Sequence, residues 1–531
     1  MMRFFKELFK KKYKTDTLKE LDSLHIDFFN NIDGYSLDLQ QRIVALNDDK
    51  SLLVVAGAGS GKTLTIIAKI KYLIEMKGIN PNEILCISFT NEATKSLKNK
   101  LCKYDIDIYT FHKLGLHILN KSNFTYKICS SDFLEYVVDE FFYGLILEND
   151  YLIKCVLYYL NLKVNKDYEK TYLENLYNKE FIELKKLIVK FISLFEANSI
   201  NILEFTKFIK RTFSIKEKLF LIITLNVYLV YKNELSSSGL IDFDDMIIKS
   251  TELINKKKVN LNYKYVIIDE YQDTSYVRYL LVKSIIDNSN AKIIGVGDDF
   301  QSIYRFSGCD LNIFLNFNKF FPQSKILKIE NTYRNSQELI NICGIFIMRN
   351  KNQLKKNLVS KKHLVNPITI CYCNNFSSNF ELLINNIKGN IMVLGRNNDD
   401  VLQILNENTE LIDGEICYKK NDKINLTYLT VHKSKGLESD NVIVLNVVDD
   451  ILGFPNKLSD DKILKFVAKG KNKILYEEER RLFYVALTRT KNKVYLLTTK
   501  NKESIFIKEL LKYHKYQIKI IDFDKQNKKS K

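Results

Sequence analysis

The chain has 531 residues, beyond the size at which one hydrophobic core keeps growing, so two or more domains are expected. With 46% hydrophobic and 27% charged residues it has a globular composition, and no stretch approaches the roughly 18 apolar residues of a membrane span, so no membrane partner is expected. The formal net charge of +18 favours a polyanionic partner, but Lys-, Asn- and Ile-rich usage also follows from a biased genome, so motifs must decide.

The start, MMRFFKELFKKKYK, is basic and amphipathic but lacks an apolar run of signal-peptide length and a small-residue cleavage site. Residues 1–34 are expected to form a helical arm that packs or binds polyanion. From there, short β-branched apolar runs alternate with helical patterns in two blocks, the signature of parallel sheets covered by helices. The first block holds SLLVV (51–55), ILCISF (84–89), IDIY (106–109), YVIID (265–269) and AKIIGVG (291–297). Within it, residues 113–239 are rich in Leu, Tyr, Phe and Lys at helical spacing and nearly free of Gly and Pro, which predicts an all-α insertion. The second block holds KILKIE (325–330), ITICYC (368–373), NIMVLG (390–395), INLTYLTV (424–431), NVIVLNV (441–447) and KVYLL (493–497). The fold class is therefore α/β, with two doubly wound parallel-sheet domains: the first over 35–112 and 240–322, the insertion over 113–239, the second over 323–505, and a basic C-terminal tail over 506–531 whose end, KQNKKSK, is expected to be frayed and solvated. Nine scattered cysteines with no C-x-x-C pair fit a reducing, cytoplasmic setting, and Cys371 with Cys373 reads as two thiols on one strand face rather than a metal site.

The strand SLLVV runs into Ala56-Gly57-Ala58-Gly59-Ser60-Gly61-Lys62-Thr63 and then a helical pattern, which matches a phosphate loop with alanine at its first glycine. The glycines let backbone N–H groups wrap a phosphate at a helix N-terminus, Lys62 neutralises it, and Thr63 can hold Mg²⁺. A second strand delivers Asp269 and Glu270 at its carboxyl end, where ligands of open α/β sheets sit. Asp269 would reach Mg²⁺ through water and Glu270 would orient and deprotonate the attacking water. ATP hydrolysis is the resulting expectation, with Gln301 touching the γ-phosphate or the water. Arg334 and Arg489 come from the second block. Arg489 shares a helical face with Leu482 and Val485 and is expected to point into the cleft, so hydrolysis would require domain closure.

The ordered set LDLQQRIV, AGAGSGKT, SFTNEAT, TFHKLG, DFDDM, VIIDEYQDTS, VGDDFQSIYRFSG, ENTYRNSQ, TVHKSKGLE and EERRLFYVALTRTK resembles the UvrD/Rep family of superfamily 1 DNA helicases, most closely its helicase IV branch, over residues of about 35 to 500. The resemblance implies RecA-like motor domains with ATP and Mg²⁺ as cofactors. It implies that Gln41 reads the adenine, Tyr333 stacks on it, and Glu438 meets the ribose. It implies that Phe89, Thr90, Asn91, Phe111, His112, Tyr304, Phe306 and His432 line a single-strand channel. VGDDFQSIYRFSG would thus join two sites, with Gln301 sensing the γ-phosphate and Tyr304 and Phe306 stacking on bases, a contact worth about 1–3 kcal/mol per base.

This chain departs from the family's pattern at three positions: Phe306 stands where many relatives have tryptophan, Ser307 where they have arginine, and Glu92 where they have lysine. Little more than thirty residues separate Arg396 from the motif at Leu429, so the large regulatory insertion of UvrD and Rep is expected to be absent. The leading expectation is an ATPase that moves 3′ to 5′ on single-stranded DNA and separates duplex, acting on single-stranded and tailed duplex DNA in DNA repair, as a monomer in isolation. A repair or replication loading partner stays open. The alternatives are a translocase that displaces proteins and an RNA polymerase-associated remodelling ATPase. A helicase–nuclease subunit is disfavoured, because only about 30 residues follow the last motor strand.

Overall fold

The computed structural model describes residues 20, 22–122, 126–163, 167–421, 423–458, 460–468, 475–523 and 525. The start MMRFFKELFKKKYK and the end QNKKSK lie outside them. Of the expected N-terminal arm, the described part includes one short helix, Ile26–Asn30.

Sixteen strands occur among the described residues. β1 (Ser51–Ala56), β2 (Ile84–Ser88), β3 (Asp107–Thr110), β4 (Lys127–Ile128), β5 (Leu240–Ile241), β6 (Tyr265–Ile268), β7 (Lys292–Gly297) and β8 (Lys325–Ile329) come first. β9 (Ile368–Tyr372), β10 (Ile391–Gly395), β11 (Thr409–Ile412), β12 (Glu415–Tyr418), β13 (Leu426–Thr430), β14 (Asn441–Val444), β15 (Val494–Thr498) and β16 (Ile518–Asp522) follow. One sheet has the order β3-β2-β6-β7-β1-β8, all parallel. The other has the order β11-β12-β13-β10-β14-β15-β9-β16, parallel from β13 to β16 with an antiparallel hairpin at one edge.

Alternation along β1 explains why this sheet is covered on both sides. Leu53 and Val55 enter one core while Leu52, Val54 and Ala56 enter another, each side chain fully buried. Burying each of the larger ones stabilises the fold by about 1.5–3 kcal/mol. In the second sheet, Met392 and Leu394 of β10 face one core and Ile391 and Val393 the other.

The insertion is helical, from Phe133–Tyr143 to the long helix Ile215–Ser237, and the parallel pair β4–β5 closes its base. Lys232 sits among Glu196, Asp242 and Asp245, 3.1 Å from Asp245, and so compensates a buried acidic cluster with an internal cation.

Two expectations are corrected. The run KILKIE belongs to the first sheet, not the second: β8 pairs in parallel with β1, from Leu52 opposite Lys325 to Ala56 opposite Ile329. An apolar run marks a buried strand but carries no information about which sheet receives it. Residues 506–522 are not a mere tail either. Helix Ile505–His514 buries Phe506, Ile507 and Leu510 in the second core, and β16 pairs with the outer edge of β9. The lysines that make this segment basic, Lys508, Lys512, Lys515 and Lys519, lie at exposed positions. Between β10 and β13, the chain makes a 3₁₀ turn (Asn398–Gln403) and the β11–β12 hairpin.

Candidate nucleotide site and nucleic-acid channel

β1 ends at Ala56 and a helix begins at Lys62, so the intervening loop sits at the carboxyl edge of the sheet beside β7 and β8. Gly59 and Gly61 have φ of +69° and +76°, a region other residues rarely adopt. Space is short as well: a Cβ at Gly59 would lie 2.5 Å from Arg334 Cβ, and one at Gly61 would lie 2.6 Å from Gln41 Nε2 and displace that amide. The loop's carbonyls are engaged from outside. Gln41 Nε2 donates to Ser60 O at 3.0 Å, Thr332 Oγ1 to Ala58 O at 2.7 Å, and Tyr333 N to Gly59 O at 3.0 Å. A loop held by its carbonyls at a helix N-terminus offers its N–H groups to a phosphate.

At the same edge of the first sheet, Lys62 Nζ lies 4.0 Å from Glu270 Oε1. Glu270 has φ of +50°, a strained conformation for a non-glycine residue, and its carboxylate accepts from Gln272 Nε2 at 2.6 Å. Burial would push Glu270 up, but Lys62 and Lys435 outweigh it and hold the carboxyl below the usual carboxylate range. Asp269 moves the other way: burial, then the neighbouring Glu270 charge, push it above the usual carboxylate range.

Both arginines from the second block reach this cleft. Arg489 is buried at the end of helix Glu477–Leu487, where its Nη2 donates to Gln301 Oε1 at 2.8 Å and its Nε to Val485 O at 3.1 Å. Burial and the nearby Arg334 pull it down to about 9. Arg334 donates to Glu438 at 2.7 Å and to Thr488 O at 3.4 Å, and Glu438 also meets Lys491 at 3.2 Å. Tyr333 keeps an exposed ring, with its hydroxyl on Asp38 at 2.6 Å. Gln41 is buried and uses both ends of its amide: Oε1 accepts from Asp38 N in a capping box, and Nε2 holds Ser60.

The aromatic residues form a ladder across both lobes. Phe89 stacks on Tyr304 with centroids 5.3 Å apart and planes 14° apart, Tyr304 meets Phe306 at 6.0 Å, and Phe306 meets His432 at 5.4 Å. Arg278 extends it, lying 5.0 Å from Phe89 and 5.6 Å from Phe111. Tyr304 also donates to His432 O at 3.2 Å, bridging the lobes. Phe111 is core rather than surface, at 4% exposed, whereas Phe306 is 53% exposed. His112 packs near Phe243 at 5.1 Å. Burial, then neighbouring cations, lower His112 and His432 to about 4, so both are neutral near pH 7. Thr90 caps the helix Asn91–Lys100 through Ala93 N at 3.1 Å, and Asn91 lies exposed at its start.

Sequence reasoning did not single out Lys435, Lys356 or Arg278. Lys435 donates to Gln301 O at 2.8 Å and pairs with Asp273 across the lobes. It lies inside HKSKGLE, so the motif itself was the available signal. Nothing local marks Lys356, whose carboxylate partners are 57 and 58 residues away.

Residues 37–322 match the UvrD/REP helicase N-terminal domain and residues 390–501 the UvrD-like helicase C-terminal domain. Among similar curated proteins, DNA helicase IV of Escherichia coli is 26% identical over 522 residues, covering 92% of this chain and 72% of its own length. A probable DNA helicase of Mycoplasma pneumoniae is 27% identical, covering 87% of this chain and 83% of its own. The ATP-dependent DNA helicase Rep of Buchnera aphidicola is 32% identical over 66% of this chain, which spans about half (51%) of that relative.

Proposed function

The chain belongs to the UvrD/Rep helicase family, and from that premise we propose that it is an ATP-dependent DNA helicase moving 3′ to 5′ along single-stranded DNA. One observation carries the coupling. Gln301 touches Arg489 of the opposite lobe, and three and five residues later Tyr304 and Phe306 enter the aromatic ladder. A shift of this single loop exchanges the state of the nucleotide for the position of a base.

In this reading, the N–H groups of Ala56 to Thr63 seat the triphosphate, Lys62 balances its charge, and Gln41 and Tyr333 take the adenine, Gln41 giving up its bonds to Asp38 and Ser60. The Thr63 hydroxyl and the Asp269 carboxylate would hold Mg²⁺, which would supply neutralisation of the phosphate charge. Glu270, held ionised by Lys62, accepts the proton of the attacking water. Arg489 and Arg334 meet the charge that develops on the transferred group, a contribution of about 10³–10⁵ in rate for such arginines. Glu438 would leave Arg334 for the ribose. The direction of travel rests on the motif resemblance alone, and a cytoplasmic setting on the nine free cysteines.

The test is ATP turnover with and without a single-stranded oligonucleotide, followed by unwinding of duplexes with either a 3′ or a 5′ tail. Turnover indifferent to DNA would remove the helicase reading, and displacement only from the 5′-tailed duplex would reverse the direction. A second reading, a translocase that displaces proteins, is favoured by the short hairpin between β10 and β13. It requires translocation on single strands to outpace strand separation on the same substrate.

A further inference from the structure

The amide of Gln301 is gripped at both ends. Its Oε1 accepts from Arg489 at 2.8 Å and its Nε2 donates to Asp298 at 2.6 Å. Asp298 and Asp299 are adjacent, wholly buried carboxylates, and one ammonium serves both: Lys356 Nζ contacts Asp298 and lies 2.6 Å from Asp299. The same Nζ lies 3.5 Å from the centre of the Phe300 ring. Asp299 is further fixed by Gln353 Nε2 and Leu354 N, each at 2.8 Å. The Lys356 side chain is itself wholly buried, so water does not compete for these bonds.

Two neighbouring carboxylates in a dry interior do not both stay ionised without a cation, and one would take up a proton. Burial works against the charge of Lys356, but Asp298 and Asp299 outweigh it and hold the ammonium above the ordinary lysine range. Lys356 donates to Asp298 Oδ1 and the Gln301 amide donates to Asp298 Oδ2, so Asp298 serves as an acceptor through both oxygens. An acceptor-only carboxylate dictates which end of a glutamine amide faces it: N–H toward Asp298, and hence C=O toward Arg489. A protonated Asp298 could donate to Oε1 instead. The amide would then turn over and present N–H to a guanidinium, donor against donor. The apolar flanks of the loop are also held, since Phe300 and Ile303 are buried in the core of the second lobe and Phe300 meets Tyr484 at 5.3 Å. Amide polarity is thus the freedom left for the Lys356 network to remove.

The geometry points to Lys356 as a positioning residue for ATP turnover: by keeping Asp298 an acceptor, it fixes which end of the Gln301 amide faces the nucleotide cleft. This rests on the reading of Gln301 given above, and a double-mutant cycle separates the two. ATP turnover at saturating single-stranded DNA is measured for the full chain and for Lys356→Met, Gln301→Ala and the double variant. Each single change is expected to lower kcat by about tenfold or more with KM for ATP within about threefold, and the double variant to fall no more than about twofold below the worse single. An unchanged kcat in Gln301→Ala overturns the role of Gln301 and the inference with it. Losses that multiply in the double variant leave Gln301 its role but overturn that of Lys356, because a merely structural lysine acts independently of the amide. Lys356→Gln, which keeps donors but no charge, replaces Lys356→Met should the latter not fold. If neither yields folded protein that binds a fluorescent ATP analogue, Lys356 serves folding and the inference is overturned.

Discussion

Glu270 combines a strained backbone, a carboxylate held ionised and a lysine 4.0 Å away, an arrangement that folding alone would not favour. Glu270→Gln keeps the shape and removes the base, so kcat is expected to fall by about 10²–10⁴ while nucleotide and DNA binding persist, as measured by single-turnover hydrolysis beside fluorescence titrations. Loss of binding in that variant would assign Glu270 to ligand affinity instead. Lys62→Ala is expected to lose turnover together with affinity for the triphosphate. These two residues were legible in the sequence because each sits in a local pattern, a loop after one strand and an acid pair after another. Lys435 and Lys356 were not. Lys435 meets Asp273 across 162 residues, and a partner that remote leaves no trace in spacing. Phe111 shows the opposite limit: its motif was readable, but its depth, decided by Leu114 and Met246 in the same core, was not.

At the scale of elements, the alternation of runs located every strand of the two sheets except the hairpin and the last, but their neighbours came only with the folded chain. The sequence assigns β8 to the wrong sheet because parallel order is set by crossovers, and the short β16, with Lys519 at its second position, carries too little apolar pattern to mark a strand. The same lesson applies to the 3₁₀ turn Lys462–Phe466, which lies in the second half of the sequence yet packs into the insertion of the first. Ile463, Leu464 and Val467 are buried in the insertion's core, Phe466 meets Phe208 at 5.4 Å, and Asn198 Nδ2 donates to Val467 O at 2.9 Å. Asp460, just before it, pairs with Lys190 at 2.6 Å and with Arg305 at 2.9 Å, the residue preceding Phe306. This turn therefore straps the second lobe to the insertion beside Phe306. Leu464→Asn, which buries an unpaired amide, costs about 1–3 kcal/mol locally. Amide hydrogen exchange is expected to quicken at 460–468 and in the facing helix Ile202–Arg211 while β1 stays protected. Faster exchange throughout the chain would make the turn part of the global core rather than a strap.

At the scale of the whole molecule, the charge of +18 has two destinations. Part of the basic complement is consumed internally: Lys356 between two aspartates, Lys435 on Asp273, Lys232 among three acids, Arg489 on Gln301. These cations meet fixed partners and contribute nothing to a diffusing polyanion. The formal charge already counts the acidic partners of these lysines, so the internal pairs do not account for the surplus. If that surplus tracks a DNA backbone, binding releases counterions and affinity must fall steeply with salt, by about 10³–10⁵ between 50 and 200 mM for 6–10 phosphate contacts. Stacking on the aromatic ladder responds far less, because it moves no net charge. The two terms therefore separate in one experiment: single-strand affinity is titrated against salt for the unaltered chain and for Phe306→Ala. Phe306→Ala is expected to shift the line downward by roughly tenfold, about 1.4 kcal/mol, without changing its slope. A shallow slope in both proteins would assign the positive surplus to amino-acid usage, and a changed slope in Phe306→Ala would mean that the loop orders the phosphate contacts as well as the base.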